Sequence, residues 1–397
     1  MTTPGVDRLA AGASGVPGAA AATAHRLAGA RLGLVTNDLA LTGDLRRGRE
    51  ALLAAGFRID LLFGPEHGLS GRAIEGAEVG DAADAVTGIP VRSLYGENLR
   101  PAAADLAELD ALLIDLPDIG SRFYTYIWTM SHALEACADA GIPLVVLDRP
   151  NPIGGDLAKA EGPLLDEACH SFVGRWSMPI RHSLTIGELA RHFARSRGID
   201  VEVVVVEAAG WRRSQTALDA PAQLWTPPSL NMPSALTALL YPGTCLVEGI
   251  GMSEGRSTAV PFRVLGAPWL DGEALAARIR DLDLPGLAAT PYGFTPHVRD
   301  YAGEACDGVL FHVTDADALR PVSALARVIA AIEEQHPGVL TEREGPTMPG
   351  ESPFTALEKL FGRPGAFAEL TGGEWNDPAR FAVPEWVEAV QASLLYR

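Results

Sequence analysis

The chain predicts an α/β fold, with a mostly parallel sheet over residues 1–240 followed by a smaller α+β unit over 241–397. Three observations carry that reading. Short apolar runs alternate with helical stretches from residue 31 onward. The runs are continuous, as in PLVVL at 143–147, which is the pattern of strands buried on both faces. After Trp211 the texture turns Pro-rich (WTPPSLNMPS), and mixed elements resume near Tyr241.

Taken in order, 31–36 reads as the first strand, 44–55 as a helix and 58–63 as the second strand. A short strand at 91–94, a helix at 101–109 and a strand at 111–116 continue the rhythm. A long helix follows at 122–140, with Ser121 placed to cap it. The strand at 143–147, a helix at 186–197 and a strand at 201–206 extend the sheet. In the second unit a helix at 272–283, a strand at 308–314 and a helix at 322–335 stand out. The first 30 residues contain Gly12, Gly15 and Gly18, but no strand precedes them, so they read as a flexible or helical leader and not as a dinucleotide fingerprint.

Composition excludes several classes. No apolar run approaches the ~18 residues of a membrane helix. With 50 acidic and 32 basic residues the net charge is −18, which disfavours nucleic acid and anionic membranes as partners. Lys159 and Lys359 are the only lysines, and no GxxxxGK[ST] phosphate loop exists. Cys137, Cys169, Cys245 and Cys306 form no CxxC pair and read as buried thiols in a reducing compartment. His67 and His182 share no ligand spacing, so neither a metal nor another cofactor is expected. The N-terminus lacks the basic start and apolar core of a secretory signal, which points to the cytoplasm.

In parallel α/β sheets ligands gather beyond the carboxyl ends of the strands. The first strand runs into Asn37, and the second into Glu66 and His67, held between Pro65 and Gly68. Glu66 could serve as a general acid, as a nucleophile, or only as a loop carboxylate capping the next helix. Asp118, after the 111–116 strand, would supply the second carboxyl group that glycoside hydrolysis usually needs, or else pair with Arg122 or a helix N-terminus. Arg122, Arg149 and Arg256 lie in loops where a guanidinium forks onto a substrate carboxylate or, more commonly, ties the protein's own loops together. Tyr124 offers a ring for stacking, with core packing as the commoner fate. Asn151, His182 and Asn231 are polar residues among rigid loop formers.

The ordered motifs GLVTN (33–37), GPEHGLSG (64–71), DLPDIGSRFYTYIWTM (115–130), VVLDRPNPIGG (145–155), RHSLTIGELA (181–190), PPSLNMPS (227–234) and SEGRST (253–258) resemble the DUF1343 family of exo-β-N-acetylmuramidases. The resemblance implies a Rossmann-like domain, a smaller auxiliary domain and a cleft between them. It implies removal of β-linked N-acetylmuramic acid from non-reducing ends of peptidoglycan fragments. Glu66 would be the catalytic residue, with Asp118, Arg122, Tyr124, Asn231, Glu254 and Arg256 in the cleft, and the substrate's lactyl carboxylate would meet an arginine. The sequence departs from the family pattern at Leu116-Pro117, Ser183, Leu230 and 249–252, which bears on the amino sugar preferred. The competing reading is a non-catalytic carbohydrate- or nucleotide-binding protein. A nicotinamide dehydrogenase is disfavoured because the first strand leads into Thr36-Asn37-Asp38 and not into GxGxxG.

Overall fold

A computed structural model describes the chain except residues 1, 17, 74–79, 97, 220–224 and 346–350. The first sheet contains β1 (Arg31–Thr36), β2 (Arg58–Gly64), β3 (Ala82–Ala83), β4 (Pro90–Ser93), β5 (Ala111–Asp115), β6 (Leu144–Leu147) and β7 (Val203–Val206), in the order β3-β4-β2-β1-β5-β6-β7. All pairs are parallel except the short β3–β4 edge. The strand order turns back at β1, so the chain winds outward first on one side and then on the other. A second, antiparallel sheet of β8 (Val264–Ala267), β9 (Leu287–Pro291) and β10 (Asp307–Val313) has the order β8-β10-β9.

The continuous apolar runs feed two cores. Leu32, Leu34, Leu62, Leu113, Val145 and Leu147 face one side of the first sheet, against the helices Gly5–Ala13 and Ala19–Leu27. Val35, Phe63, Leu112, Ile114 and Val146 face the other, against Ile127, Leu134, Leu189 and Phe193. The leader is therefore helical. Gly5 lies where a Cβ would stand 2.3 Å from the Val206 carbonyl oxygen, so only glycine lets this helix approach the ends of β6 and β7.

Several elements differ from the sequence reading. The long helix begins at Tyr126, with Thr125 at its N-cap, and residues 122–125 form a turn. Ser121 does not cap it; that residue bridges to Arg181 instead. The helices expected at 44–55 and 101–109 shorten to Gly48–Ala54 and Ala103–Leu106. The helix Ala235–Thr244 was hidden by Pro242 and the Pro-rich run before it. The proposed division at 240/241 falls within this helix. No helix among the described residues is long and apolar enough to cross a membrane.

The end of the chain returns to the first sheet. Trp386 donates its indole N–H to the His182 carbonyl at 3.0 Å, and the Tyr396 hydroxyl donates to Asp148 at 2.6 Å. In the opposite sense, Glu161 reaches the helix Pro321–Gln335 of the second unit and accepts from Ser323 N at 2.6 Å and Val322 N at 3.3 Å. That helix has no side-chain cap of its own, so a carboxyl group from the other unit satisfies its first amides.

Burial pushes the Glu161 carboxyl up to about 7 from 4.5, against the two amides and Arg181, which favour the charged form. A carboxyl raised on folding binds more protons folded than unfolded, so its contribution is full below pH 4.5 and is lost as pH rises through about 7. Glu161→Gln should therefore move the melting temperature relative to wild type in the variant's favour across that window, by the equivalent of roughly 1–3 kcal/mol. Paired melting curves at several pH values check this. Parallel pH dependences in the two proteins would refute it.

Candidate active site

Pro65 turns the chain at the end of β2, and His67 (φ 69°) and Gly68 (φ 70°) both adopt left-handed backbone. The reversal is closed by Gly68 N donating to the Pro65 carbonyl at 2.9 Å. His67 Nδ1 lies 2.7 Å from the Ala73 carbonyl oxygen, an acceptor, so Nδ1 carries the proton and Nε2 keeps its lone pair. Between these fixed residues the Glu66 side chain, 9% exposed, enters a cavity of about 760 Å³.

The Thr125 hydroxyl donates to Glu66 Oε2 at 2.6 Å. Thr125 occupies the N-cap of the helix Tyr126–Ala140 yet does not cap it with its side chain, because the hydroxyl is committed to Glu66. The next residue acts in another direction. Tyr126 accepts from Asn37 Nδ2 at 3.0 Å and donates to the Pro228 carbonyl at 3.2 Å, which fixes the loop whose Ser229 and Asn231 line the cavity. Tyr124 packs edge-on against Tyr126, with ring centroids 5.0 Å apart, and faces the cavity. Burial, and then Tyr126, push its hydroxyl well above the usual range, so it stays neutral.

Tyr95 and Phe172, with ring centroids 5.6 Å apart, supply part of the aromatic wall. The far wall is ionic. Glu248 pairs with Arg256 at 2.7 Å and with Arg299 at 2.7 Å, while Arg256 Nε reaches Glu254 at 2.8 Å. Burial works against the charge on Glu248, but the two guanidinium groups overcome it and hold the carboxyl below the ordinary range. Glu254 is pushed up by burial and by Glu248 beside it. Arg343 pairs with Asp300, and its Nε is buried with no hydrogen-bond partner among the described residues. A chain of net charge −18 thus carries Arg256, Arg299, Arg343 and Lys359 in this one cavity.

Of the residues singled out in the sequence, Glu66, His67, Tyr124, Asn231 and Arg256 line the cavity. Asn37 stands behind Tyr126, and Glu254 behind Arg256. Others are not brought there. Arg122 is fully buried and donates from Nη1 and Nη2 to the carbonyls of Pro163 (3.1 Å), Met178 (2.8 Å) and Leu360 (2.6 Å), so both tips of its fork hold the protein's own loops, while its buried Nε has no hydrogen-bond partner among the described residues. Asp118, Arg149 and Asn151 line a second, smaller cavity of about 260 Å³, and His182 is buried with Nε2 3.3 Å from Asp118. Asp118 lines the smaller cavity and is not among the lining residues of the larger one, although its charge, like that of Glu66, acts on the Tyr124 hydroxyl. Thr125, Arg299 and Arg343 were not singled out. Thr125 lay inside a quoted motif, but the two arginines sit in loops of the second unit with no local signal. Among the described residues no group of three or more His, Cys, Asp or Glu side chains is placed to hold a metal ion.

Two family models match the chain. Exo-beta-N-acetylmuramidase NamZ, N-terminal, covers residues 32–236, and the corresponding C-terminal model covers 239–392. The peptidoglycan beta-N-acetylmuramidase NamZ of Bacillus subtilis (strain 168) is 41% identical over 313 residues, 79% of this chain and 75% of that protein. Two crystal structures of DUF1343 family proteins from Bacteroides fragilis NCTC 9343 share the fold over 100% of this chain and 99% of theirs, with TM-scores of 0.87 and 0.75 at 28% and 26% identity.

The geometry of Arg122 predicts a structural phenotype. A lysine ammonium carries its three donors on a single nitrogen and cannot reproduce the spread of Nη1 and Nη2 over the three carbonyls, so Arg122→Lys should cost about 3 kcal/mol or more of stability. Thermal melting measures it. An unchanged melting temperature with weakened substrate binding would instead assign Arg122 to the ligand.

Proposed function

We propose that Glu66 is the proton donor of a chain that belongs to the exo-β-N-acetylmuramidase NamZ family, the DUF1343 family. The protein is a glycoside hydrolase, an exo-β-N-acetylmuramidase that releases N-acetylmuramic acid from non-reducing ends of peptidoglycan fragments. The observation that carries the role of Glu66 is its setting: a buried carboxyl at a strand end, open to the larger cavity and held by a neutral hydroxyl. The other buried or half-buried carboxylates of that cavity, Glu248, Asp300 and Glu351, are paired with arginine or lysine. An acid whose proton must reach a leaving oxygen is better served by a hydroxyl neighbour than by a fixed cation, which would hold it as the anion.

Thr125 engages Oε2, leaving Oε1 to face the glycosidic oxygen and to deliver the proton as the bond breaks. Aromatic side chains such as Tyr95 and Phe172 offer apolar surface to the sugar ring, and Asn231 offers an amide to its substituents. Arg343, whose Nε–H has no hydrogen-bond partner among the described residues, is the proposed partner of the lactyl carboxylate. We place the reaction in the cytoplasm, on fragments recovered from the wall. The buried free thiols Cys137, Cys169, Cys245 and Cys306 support reducing surroundings.

With a chromogenic N-acetylmuramide, Glu66→Gln should lower kcat by about 10³-fold or more with KM changed only a few-fold. Thr125→Val should lower kcat/KM by roughly 10-fold, with Thr125→Ser restoring most of it. Saturable binding without turnover by the wild type, or full activity of Glu66→Gln, would defeat this assignment. Arg343→Met should raise KM for the N-acetylmuramide at least about 10-fold and leave residual hydrolysis of the matching N-acetylglucosaminide, which has no lactyl group, unchanged. An equal loss on both substrates would remove Arg343 from carboxylate recognition.

A further inference from the structure

We infer that the crevice at the turning point of the first sheet is a second, non-catalytic site, shaped for one neutral sugar ring. β1 and β5 are neighbours, and the chain leaves them in opposite directions, toward β2 and toward β6. Such a divergence opens a crevice beyond the carboxyl ends of the strands. Leu41 and Thr42 after β1, Pro117 and Asp118 after β5, and Arg149 and Asn151 after β6 all line it. Its volume is about 260 Å³, and it shares no lining residue with the catalytic cavity. The loop around Pro228 separates the two, with Pro228 on one side and Ser229 and Asn231 on the other.

Asp118 marks the polar end. Its Oδ2 accepts from Gly120 N at 3.0 Å and lies 3.3 Å from His182 Nε2. Leu184 N donates to His182 Nδ1, so the ring proton is on Nε2, which lies beside that oxygen without a hydrogen bond to it among the described residues. Oδ1 is buried with no hydrogen-bond partner among the described residues, in a side chain only 5% exposed. An acceptor so placed is left desolvated without compensation, and a donor group on a ligand would recover that cost.

The surrounding charges narrow the ligand. Arg149 donates from Nε to Asp115 and from Nη1 to the Leu41 carbonyl, and its charge is paired with Asp115 at 2.7 Å, so it is not an unpaired cation for an anion. Asp118 would repel a phosphate, which excludes the nucleotides that this crevice holds in other folds of the same winding. An ammonium group would face the Arg149 guanidinium. Trp211 and Trp225 line the crevice with their indole N–H groups already donated to the Gln215 and Met232 carbonyls at 3.2 and 2.9 Å, so they contribute apolar surface. A neutral ring with hydroxyl donors on one edge and C–H groups on its face meets all of these conditions. The volume suits one ring, since it lies just below the ~300 Å³ at which drug-sized sites begin.

Free N-acetylglucosamine and a β-1,4-linked tetramer of it are the probes, titrated calorimetrically into the full chain. Binding should weaken at least about 10-fold in Ala217→Phe, which fills the crevice, and in Asp118→Asn, while both variants keep the wild-type melting temperature within a few degrees. Ala217→Phe should hydrolyse the chromogenic N-acetylmuramide at the wild-type rate. Binding of the monosaccharide identifies a free sugar as the occupant, and binding of the tetramer alone identifies one ring of a longer chain. If neither probe binds, or if two folded variants bind as wild type does, the crevice is not a sugar site.

Discussion

The buried guanidinium of Arg122 is the interaction on which the larger cavity depends. It gathers the carbonyls of Pro163, Met178 and Leu360, the last of them 238 residues along the chain from Arg122, around the turn that precedes the long helix. A cation in that position is stabilised only while all three acceptors remain in place, so it penalises any rearrangement of the segments it joins. Its backbone N also donates to Ile180, which fixes the turn itself. Tyr124, Thr125 and Tyr126 follow immediately, and each has its own task at the cavity.

Those three neighbours distribute the helix start among different structural elements. Thr125 turns to the loop after β2 and holds Glu66, while Tyr126 turns to β1 and to the loop at Pro228. The acid and one wall of the binding cavity are thereby referenced to the same rigid helical turn. Preorganisation of this kind suits the proposed role of Glu66, because a catalytic group displaced by about 1 Å loses much of its effect. The second unit closes the opposite wall with the Glu248, Arg256 and Arg299 cluster, and Glu161 anchors that unit to the first through the amides of Val322 and Ser323.

The carboxyl edge of the first sheet serves two spaces. The loop after β2 sends Glu66 and His67 to the cavity between the sheets, whereas the loops after β5 and β6 send Asp118, Arg149 and Asn151 to the crevice where the winding reverses. Position at a strand end therefore marks a residue as ligand-accessible without stating which space it faces. Arg149 shows the limit further, because its fork closes on Asp115 and the Leu41 carbonyl.

Local order alone determined the main strands of the first sheet, their parallel winding and the placement of Glu66 in the turn after the second strand. Continuous apolar runs require burial on both faces, and a carboxylate set between proline and glycine is confined to a tight turn whatever surrounds it. Tertiary structure decided the partners. Arg122 became a strut because three distant carbonyls converge on it, and Thr125 became the neighbour of Glu66 because the turn at 122–125 delays the helix to Tyr126. Arg299 and Arg343 joined the cavity only when the second unit folded over the first sheet. Such contacts join residues from 41 to 238 positions apart, where neither periodicity nor turn chemistry carries information, since both act over a few residues along the chain.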